Sequence, residues 1–238
     1  ISTNEIYKTL GYIDIQRMLE PRLIYGSYPD ILNQSADTQM LLRNLTDSYL
    51  YKDILATENI RKPDLLDKLL RALAYQVGSE VSYNELAQTV GSDSKTVEKY
   101  IELLEKCFII FRLNGLSRNL RNELKKAKKI YFYDNGIRNA VIQQFAPLEM
   151  RNDVGALWEN FFISERIKRN HYQQYYCNMY FWRTQSQQEI DYIEERDGMM
   201  TVFEMKWNPK KANTTIPEAF LKAYPIKETT IITPENYL

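Results

Sequence analysis

Two short runs near the end of this 238-residue chain decide how it folds there: Glu189-Ile-Asp-Tyr-Ile193 and Val202-Phe-Glu-Met-Lys-Trp207. Both alternate with a period of two, the pattern of a strand with one face against a core. Side chains two apart on a strand project to the same face, so Glu204 and Lys206 point together. Asp191 sits in the preceding strand between Ile190 and Tyr192, which are expected to face the opposite way. Met179-Tyr-Phe-Trp182 reads as a third, aromatic strand. Upstream, Leu157, Phe161, Ile163 and Ile167 mark a helix that begins near Gly155 and carries Glu159. Downstream, Thr215 to Tyr224 reads as a helix with Pro217 in its first turn, and Glu228 to Thr233 as a final strand. The order is helix, three strands, helix, strand: an α/β unit over residues 151–238.

Residues 63–150 carry a different pattern. Leu65, Leu66, Leu69, Leu70, Leu73 and Val77 form an amphipathic stripe that stops at Gly78. Ser82-Tyr-Asn-Glu85 has the form of a capping box; it opens a short helix with Leu86, Ala87 and Val90 inward and Gly91 as its stop. After a Ser92-Asp-Ser94 turn, Val97, Tyr100, Ile101, Leu104, Cys107 and Phe108 mark a third helix. Short helix, Gly-containing turn, longer helix is a helix-turn-helix. Phe108–Leu113 and Lys129–Tyr133 would pair as the wing of a winged helix. Asp134-Asn-Gly136 reads as a turn, with Gly136 expected at a positive backbone dihedral. Residues 1–62 read as helices with breaks at Gly26 and Pro29, a helical stretch from Thr38 to Leu55, and a linker at Arg61-Lys-Pro63. The fold class is α+β: a helical winged-helix region, then an α/β domain with a mixed central sheet.

Composition narrows the function. Lys plus Arg and Asp plus Glu both number 31. A surface that coats nucleic acid is usually strongly basic, so any such contact must be a local patch. Two cysteines exclude a disulfide framework and suit a reducing cytoplasm. The apolar runs are too short to cross a bilayer and no signal peptide is visible, so a cytoplasmic location without a membrane partner is expected. The single histidine, His171, excludes histidine-based triads and His-rich metal sites. The chain begins at Ile1 rather than Met, which suggests further sequence upstream.

Chemistry rests on Glu159, Asp191, Glu204 and Lys206. If the three strands form a meander, Asp191 and Glu204 share a face and Glu159 approaches from the helix. Hard carboxylate oxygens of this kind hold magnesium, which keeps several waters and binds substrate phosphate; a neighbouring ammonium then stabilises developing charge. Glu159, Asp191 and Glu204 are the metal candidates and Lys206 completes the catalytic set. Glu-x-Lys alone carries little information, since Glu123-Leu-Lys125 repeats it. The same acids also fit the outer face of a half-exposed sheet, and both readings stand. A basic run, Arg118, Arg121, Lys125, Lys126, Lys128 and Lys129 against Glu123, is either a nucleic-acid phosphate track or a solvated charge run. The third helix sets Lys95, Lys99 and Lys106 among Glu98, Glu102 and Glu105, acids that repel phosphates. Packing or a lid role therefore competes with DNA reading.

Several segments together resemble a prokaryotic family of AAA-type ATPases that carries a C-terminal domain of unknown function. They are Arg22-Leu-Ile-Tyr-Gly-Ser-Tyr-Pro29, Ser48-Tyr-Leu-Tyr-Lys-Asp-Ile-Leu55, Ile130-Tyr-Phe-Tyr-Asp-Asn-Gly136, Arg151-Asn-Asp-Val-Gly-Ala-Leu-Trp-Glu-Asn160, Phe181-Trp-Arg-Thr184, Glu189-Ile-Asp191 and Phe203-Glu-Met-Lys206. The resemblance implies a P-loop module upstream, a winged helix, and a last, restriction-endonuclease-like domain similar to PD-(D/E)xK nucleases with Glu159, Asp191, Glu204 and Lys206 at the matching positions. It also implies Mg as cofactor, ATP only in the upstream module, and that module and DNA as partners; a homo-oligomer stays open. None of the eight glycines is followed by lysine, so the phosphate cradle of an ATPase is missing from these residues. Three functions remain: a metal-dependent nuclease module, a non-catalytic docking module for DNA or protein, and a regulatory lid and dimerisation arm of an ATPase.

Overall fold

A computed structural model of the chain describes residues 1–33, 37–47, 63–117, 128–211 and 215–238. The N-terminal helices are α1 (Thr3–Leu10), α2 (Tyr12–Arg17), α3 (Leu19–Tyr25), α4 (Pro29–Leu32) and α5 (Thr38–Leu45). The Ser2 side chain and Glu5 close a full capping box on α1. Residues 48–62, where the helix from Thr38 was expected to continue into a linker, lie outside the described residues.

The next elements follow a winged-helix order: α6 (Pro63–Tyr75), β1 (Glu80–Val81), α7 (Tyr83–Val90), α8 (Ser94–Lys106), β2 (Ile110–Gly115) and β3 (Lys128–Phe132). The leucine stripe of α6 is buried. Ser82 caps α7 by accepting the Glu85 N–H, and Gly91 ends it in the left-handed conformation. Asp93 caps α8 by accepting the Thr96 N–H. β1 and β2 both pair antiparallel with β3. Phe108, expected inward, is exposed: it lies beyond the last turn of α8 at a φ of 55°, and Ile109 turns in instead.

The remaining elements are α9 (Asn135–Val141), α10 (Val154–Tyr172), β4 (Asn178–Arg183), β5 (Glu189–Arg196), β6 (Met199–Met205), α11 (Glu218–Ala223) and β7 (Ile226–Ile232). β4, β5 and β6 form the expected antiparallel meander, and β7 lies parallel to β6. β2 pairs parallel with β4 through Asn114↔Tyr180 and Gly115↔Phe181. Among the described residues the strands thus form one mixed seven-stranded sheet, ordered β1-β3-β2-β4-β5-β6-β7. The larger core takes in α3, α6–α10 and one side of the sheet; α10 is central, with Leu157, Trp158, Asn160, Phe161, Phe162 and Ile163 all buried. A smaller core packs Trp182, Ile190, Ile193, Val202 and Phe220 beneath α11. Among the described residues no helix is long and apolar enough to cross a membrane.

Two local expectations fail for identifiable reasons. Gly136 does not take a positive φ; it lies in the first turn of α9, whose N-terminus Asp134 caps by accepting the Gly136 and Ile137 N–H groups. Glycine is needed there because the chain passes against Tyr25 of α3. In β5, Tyr192 does not share a face with Ile190. The pairing of Tyr180 with Ile193 and of Trp182 with Ile190 inserts one extra residue in β5. This bulge sends Ile190 and Ile193 to the smaller core and Tyr192 to the larger one. Bulges of this kind re-aim side chains next to functional sites, and the two residues inside this one are Asp191 and Tyr192.

A buried polar joint ties α3, α6, α9 and α10 together. Asn139 donates to the carbonyls of Leu23 and Ile24, Arg138 to that of Ala74, and Asn135 to that of Leu157. Asp153 receives Arg151 at 2.8 Å and Arg138 at 2.5 Å. Burial pushes the Asp153 carboxyl up, but the two guanidinium groups outweigh it and hold its pKa at about 2, against an ordinary 3.8. A lowered folded-state pKa gives stability that is full above the ordinary value and is lost as pH falls through the folded one. Asp153→Asn should therefore destabilise the protein by about 1–2 kcal/mol at neutral pH, solvent screening of the partly exposed carboxylate included. In urea melts the gap to wild type should close as the pH falls from 3.8 toward 2; a gap independent of pH would show that the ionised carboxylate is not what stabilises the joint.

Candidate functional site

The site forms where β3, β5, β6 and α10 meet. Lys206, just past the end of β6, places Nζ 2.9 Å from Glu204 Oε2 and 3.6 Å from Asp191 Oδ2. The Met205 N–H donates to the same Asp191 oxygen at 2.9 Å, which fixes the carboxylate that the bulge aims. Glu204 is only 3% exposed, and its Oε1 has no hydrogen-bond partner among the described residues. Burial and the charge of Asp191 push the Glu204 carboxyl up to about 7, against the pull of Lys206. Burial lowers the Lys206 pKa, but Asp191 and Glu204 more than compensate and raise it.

Glu159 reaches the pocket from α10, on its other side. Its Oε1 accepts the Tyr131 hydroxyl at 2.5 Å and the Lys129 ammonium at 3.1 Å. Burial pushes its carboxyl up to about 7; Asp191 adds to that and Lys129 opposes it. Lys129 also meets Glu189 at 2.5 Å, and Arg183 joins Glu189 at 3.8 Å to Glu80 at 3.3 Å. Gly78 backs onto this corner: a Cβ there would lie 3.5 Å from the Tyr131 ring and 3.6 Å from Glu159 Oε1.

The structure thus brings Asp191, Glu204 and Lys206 into direct contact and sets Glu159 within electrostatic reach of Asp191. Among the described residues no three acidic, cysteine or histidine side chains are grouped so as to hold one metal ion. Of the basic run, Arg118, Arg121, Lys125 and Lys126 lie outside the described residues. Lys128 lies over the Tyr83 ring at 4.9 Å. Lys129 leaves the expected surface track altogether: it is 3% exposed and turned into the acid pocket. On α8, Glu105 is held by Arg112 at 2.5 Å, while Glu98 and Glu102 stay exposed beside Lys95 and Lys99.

Tyr131 and Glu189 were not among the anticipated site residues, and Lys129 was anticipated only as a member of the basic phosphate track. Their signal was present, because Lys129 and Tyr131 are two apart on one strand, as are Glu189 and Asp191. A cavity of about 700 Å³ lies elsewhere, between α1, α10 and the end of the chain, with Tyr7, Phe161, Arg169 and Tyr237 in its wall; it shares no residue with the acid pocket.

Comparison with known proteins adds a family. The profile of a domain of unknown function, DUF8612, matches residues 16–148. This chain belongs to that family. A second profile, the domain of unknown function DUF4143, matches residues 154–237; this is a domain often found C-terminal to AAA-type ATPases. An uncharacterised protein of Mycobacterium tuberculosis is 27% identical over 139 residues, 56% of this chain and 30% of its own length. Uncharacterised proteins of Haemophilus influenzae and Methanocaldococcus jannaschii are 25% and 24% identical over 50% and 58% of this chain, and 31% and 28% of their own lengths. The chain spans under a third of these relatives, and no solved structure matches it. The pocket crosses the two family regions: Lys129 and Tyr131 come from the DUF8612 part, and Glu159, Glu189, Asp191, Glu204 and Lys206 from the DUF4143 part.

Proposed function

We propose that the DUF4143 part is a nuclease-like module that binds one divalent cation, Mg²⁺, on Asp191 and Glu204 and acts on DNA phosphodiesters. It would work within a longer protein whose ATPase lies outside this chain. The observation that carries this reading is the buried Glu204 oxygen that has no donor among the described residues, beside Asp191 and Lys206. A buried acceptor without a donor is destabilising, and a hard cation supplies what it lacks. Magnesium suits the set because it is usually held by one or two carboxylates, waters and substrate phosphate rather than by a full protein cage. When bound, the ion polarises a phosphoryl oxygen and acidifies a water. Asp191, held by the Met205 N–H, would hold the ion together with Glu204, while the Lys206 ammonium, kept charged by the two carboxylates, would donate to a phosphoryl oxygen or the attacking water.

A second reading, a docking module without cleavage, is favoured by Glu159, whose carboxylate already serves Lys129 and Tyr131. Calorimetric titration of Mg²⁺ and Mn²⁺, with and without duplex or single-stranded DNA, separates the two. Wild type should bind one ion, and Asp191→Asn, which still accepts the Met205 N–H, should weaken it on the order of tenfold or more. Cleavage of any DNA form that is lost in Asp191→Asn selects the nuclease. DNA binding that needs no cation and survives the substitution selects docking, and a wild type that takes up no cation ends the metal reading.

A further inference from the structure

We propose that Lys129, supplied by the DUF8612 part, is a permanent resident cation of this pocket. It takes the place that a second metal ion would occupy and removes Glu159 from the metal-binding set. The inference rests on the reading of Asp191 and Glu204 as the cation ligands and specifies how many ions that site takes and which acids hold them.

The placement of Lys129 is enforced by the sheet. It is paired across β3 with Leu113 of β2 on one side and with Glu80 of β1 on the other, so its backbone is held by two strands. Its Nζ lies 2.5 Å from Glu189, 3.1 Å from Glu159 and 5.3 Å from the centre of the Phe181 ring. A buried ammonium is tolerated only when it is matched by charge and hydrogen bonds, and two carboxylates and an aromatic face match this one. Arg183 steadies Glu189 from outside.

The two ends of the pocket are thereby different. At the Glu159 end, Oε1 already receives an ammonium and a hydroxyl, and a divalent ion entering between Glu159 and Asp191 would meet the Lys129 charge within a few ångströms, where like charges repel strongly in a partly dry site. At the Glu204 end a carboxylate oxygen has no donor among the described residues. Lys129 is thus a positioning residue: it neutralises Glu159 and Glu189 and confines an incoming ion to Asp191 and Glu204. The DUF4143 pocket is incomplete without the DUF8612 strand.

Manganese titration calorimetry on the full chain tests this without reference to activity. Glu159→Gln, whose amide oxygen can still accept Tyr131 and Lys129, should bind one ion with an affinity within about twofold of wild type, as expected for a side chain outside the ligand set. Lys129→Met, of similar length and neutral, frees Glu159 and Glu189, and the stoichiometry should rise from one ion to two. The proposal is overturned if Glu159→Gln weakens binding as severely as Asp191→Asn, a readout that does not depend on Lys129→Met folding. It is equally overturned if a folded Lys129→Met still takes one ion at unchanged affinity. A wild type that binds no ion beside a Lys129→Met that binds one sinks the Asp191–Glu204 reading but upholds Lys129 as occupant of a cation position. No ion in either protein sinks both.

Discussion

Gly136→Ala is expected to destabilise the fold by on the order of 4 kcal/mol or more. Local propensity points the other way: position 136 is helical, and exchanging glycine for alanine in a helix normally stabilises by up to about 1 kcal/mol. Tertiary contact decides the sign. A Cβ at Gly136 would lie 2.1 Å from the Tyr25 carbonyl oxygen and 2.5 Å from its carbon, both backbone atoms. Neither side can easily yield. Tyr25 ends α3 next to Gly26, where a Cβ would collide with the Asp134 carboxylate, and Asp134 accepts the Ser27 N–H at 2.7 Å. One turn along, Asn139 holds the Leu23 and Ile24 carbonyls. Moving α3 away would strain or break these buried hydrogen bonds, each contributing about 1 kcal/mol and more once a partner is left bare, on top of about 1–3 kcal/mol for overpacking. A loss on the order of 4 kcal/mol or more follows, against a total of about 5–15 kcal/mol for a typical protein. Circular dichroism melts read it directly. A variant melting within a few degrees of wild type would show that the joint between α3 and α9 slides freely and carries no such constraint.

That joint marks where reading by pattern stops. The stripes of α6 and α8, the cap at Ser82 and the stop at Gly91 each act within one turn of chain, so they were legible as spacing. The meander was legible because half-buried strands alternate. What joins β2 to β4 is a parallel pairing between Asn114–Gly115 and Tyr180–Phe181, made by backbone groups that every residue possesses. No side-chain pattern announces it. Gly136 was misread for the same reason: a glycine needed for its conformation and one needed for a distant carbonyl look alike in a sequence.

The site was legible as residue types and less so as geometry. Asp191, Glu204 and Lys206 meet because the period-two spacing of Glu204 and Lys206 survives into the structure. Asp191 reaches them from within a bulge that the alternation of Ile190 and Tyr192 concealed. Lys129 looked like one member of a surface charge run because its neighbours in sequence are basic; its neighbours in space are acids contributed from 30 and 60 residues farther along the chain. Burial of a charge is decided by what packs over it, and that information is non-local.

Glu204→Gln is expected to do two opposite things, and together they separate a ligand from a structural acid. In metal-free buffer at pH 8 the variant should be more stable than wild type. The Glu204 carboxyl titrates near 7 in the folded protein against an ordinary 4.5, because burial and the neighbouring Asp191 charge disfavour its ionised form. The folded state therefore holds this proton more tightly than the unfolded chain. The penalty is absent below the ordinary value, grows as pH rises between the two, and is complete above the folded one. Glutamine keeps the shape and cannot ionise, and Lys206 keeps Asp191 at 3.6 Å. A shift of this size corresponds to a few kcal/mol at most, or several degrees in melting temperature for a chain of this length; the difference should disappear by about pH 5, near the ordinary carboxyl range. Adding Mg²⁺ or Mn²⁺ at pH 8 should raise the melting temperature of wild type, since a ligand that binds only the folded state stabilises it, and leave the variant unmoved. A buried carboxylate retained against stability is what a functional site looks like. If Glu204→Gln instead melts below wild type at pH 8 and both proteins ignore the metal, Glu204 stabilises the fold through Lys206, and the pocket has no vacancy for a cation to fill.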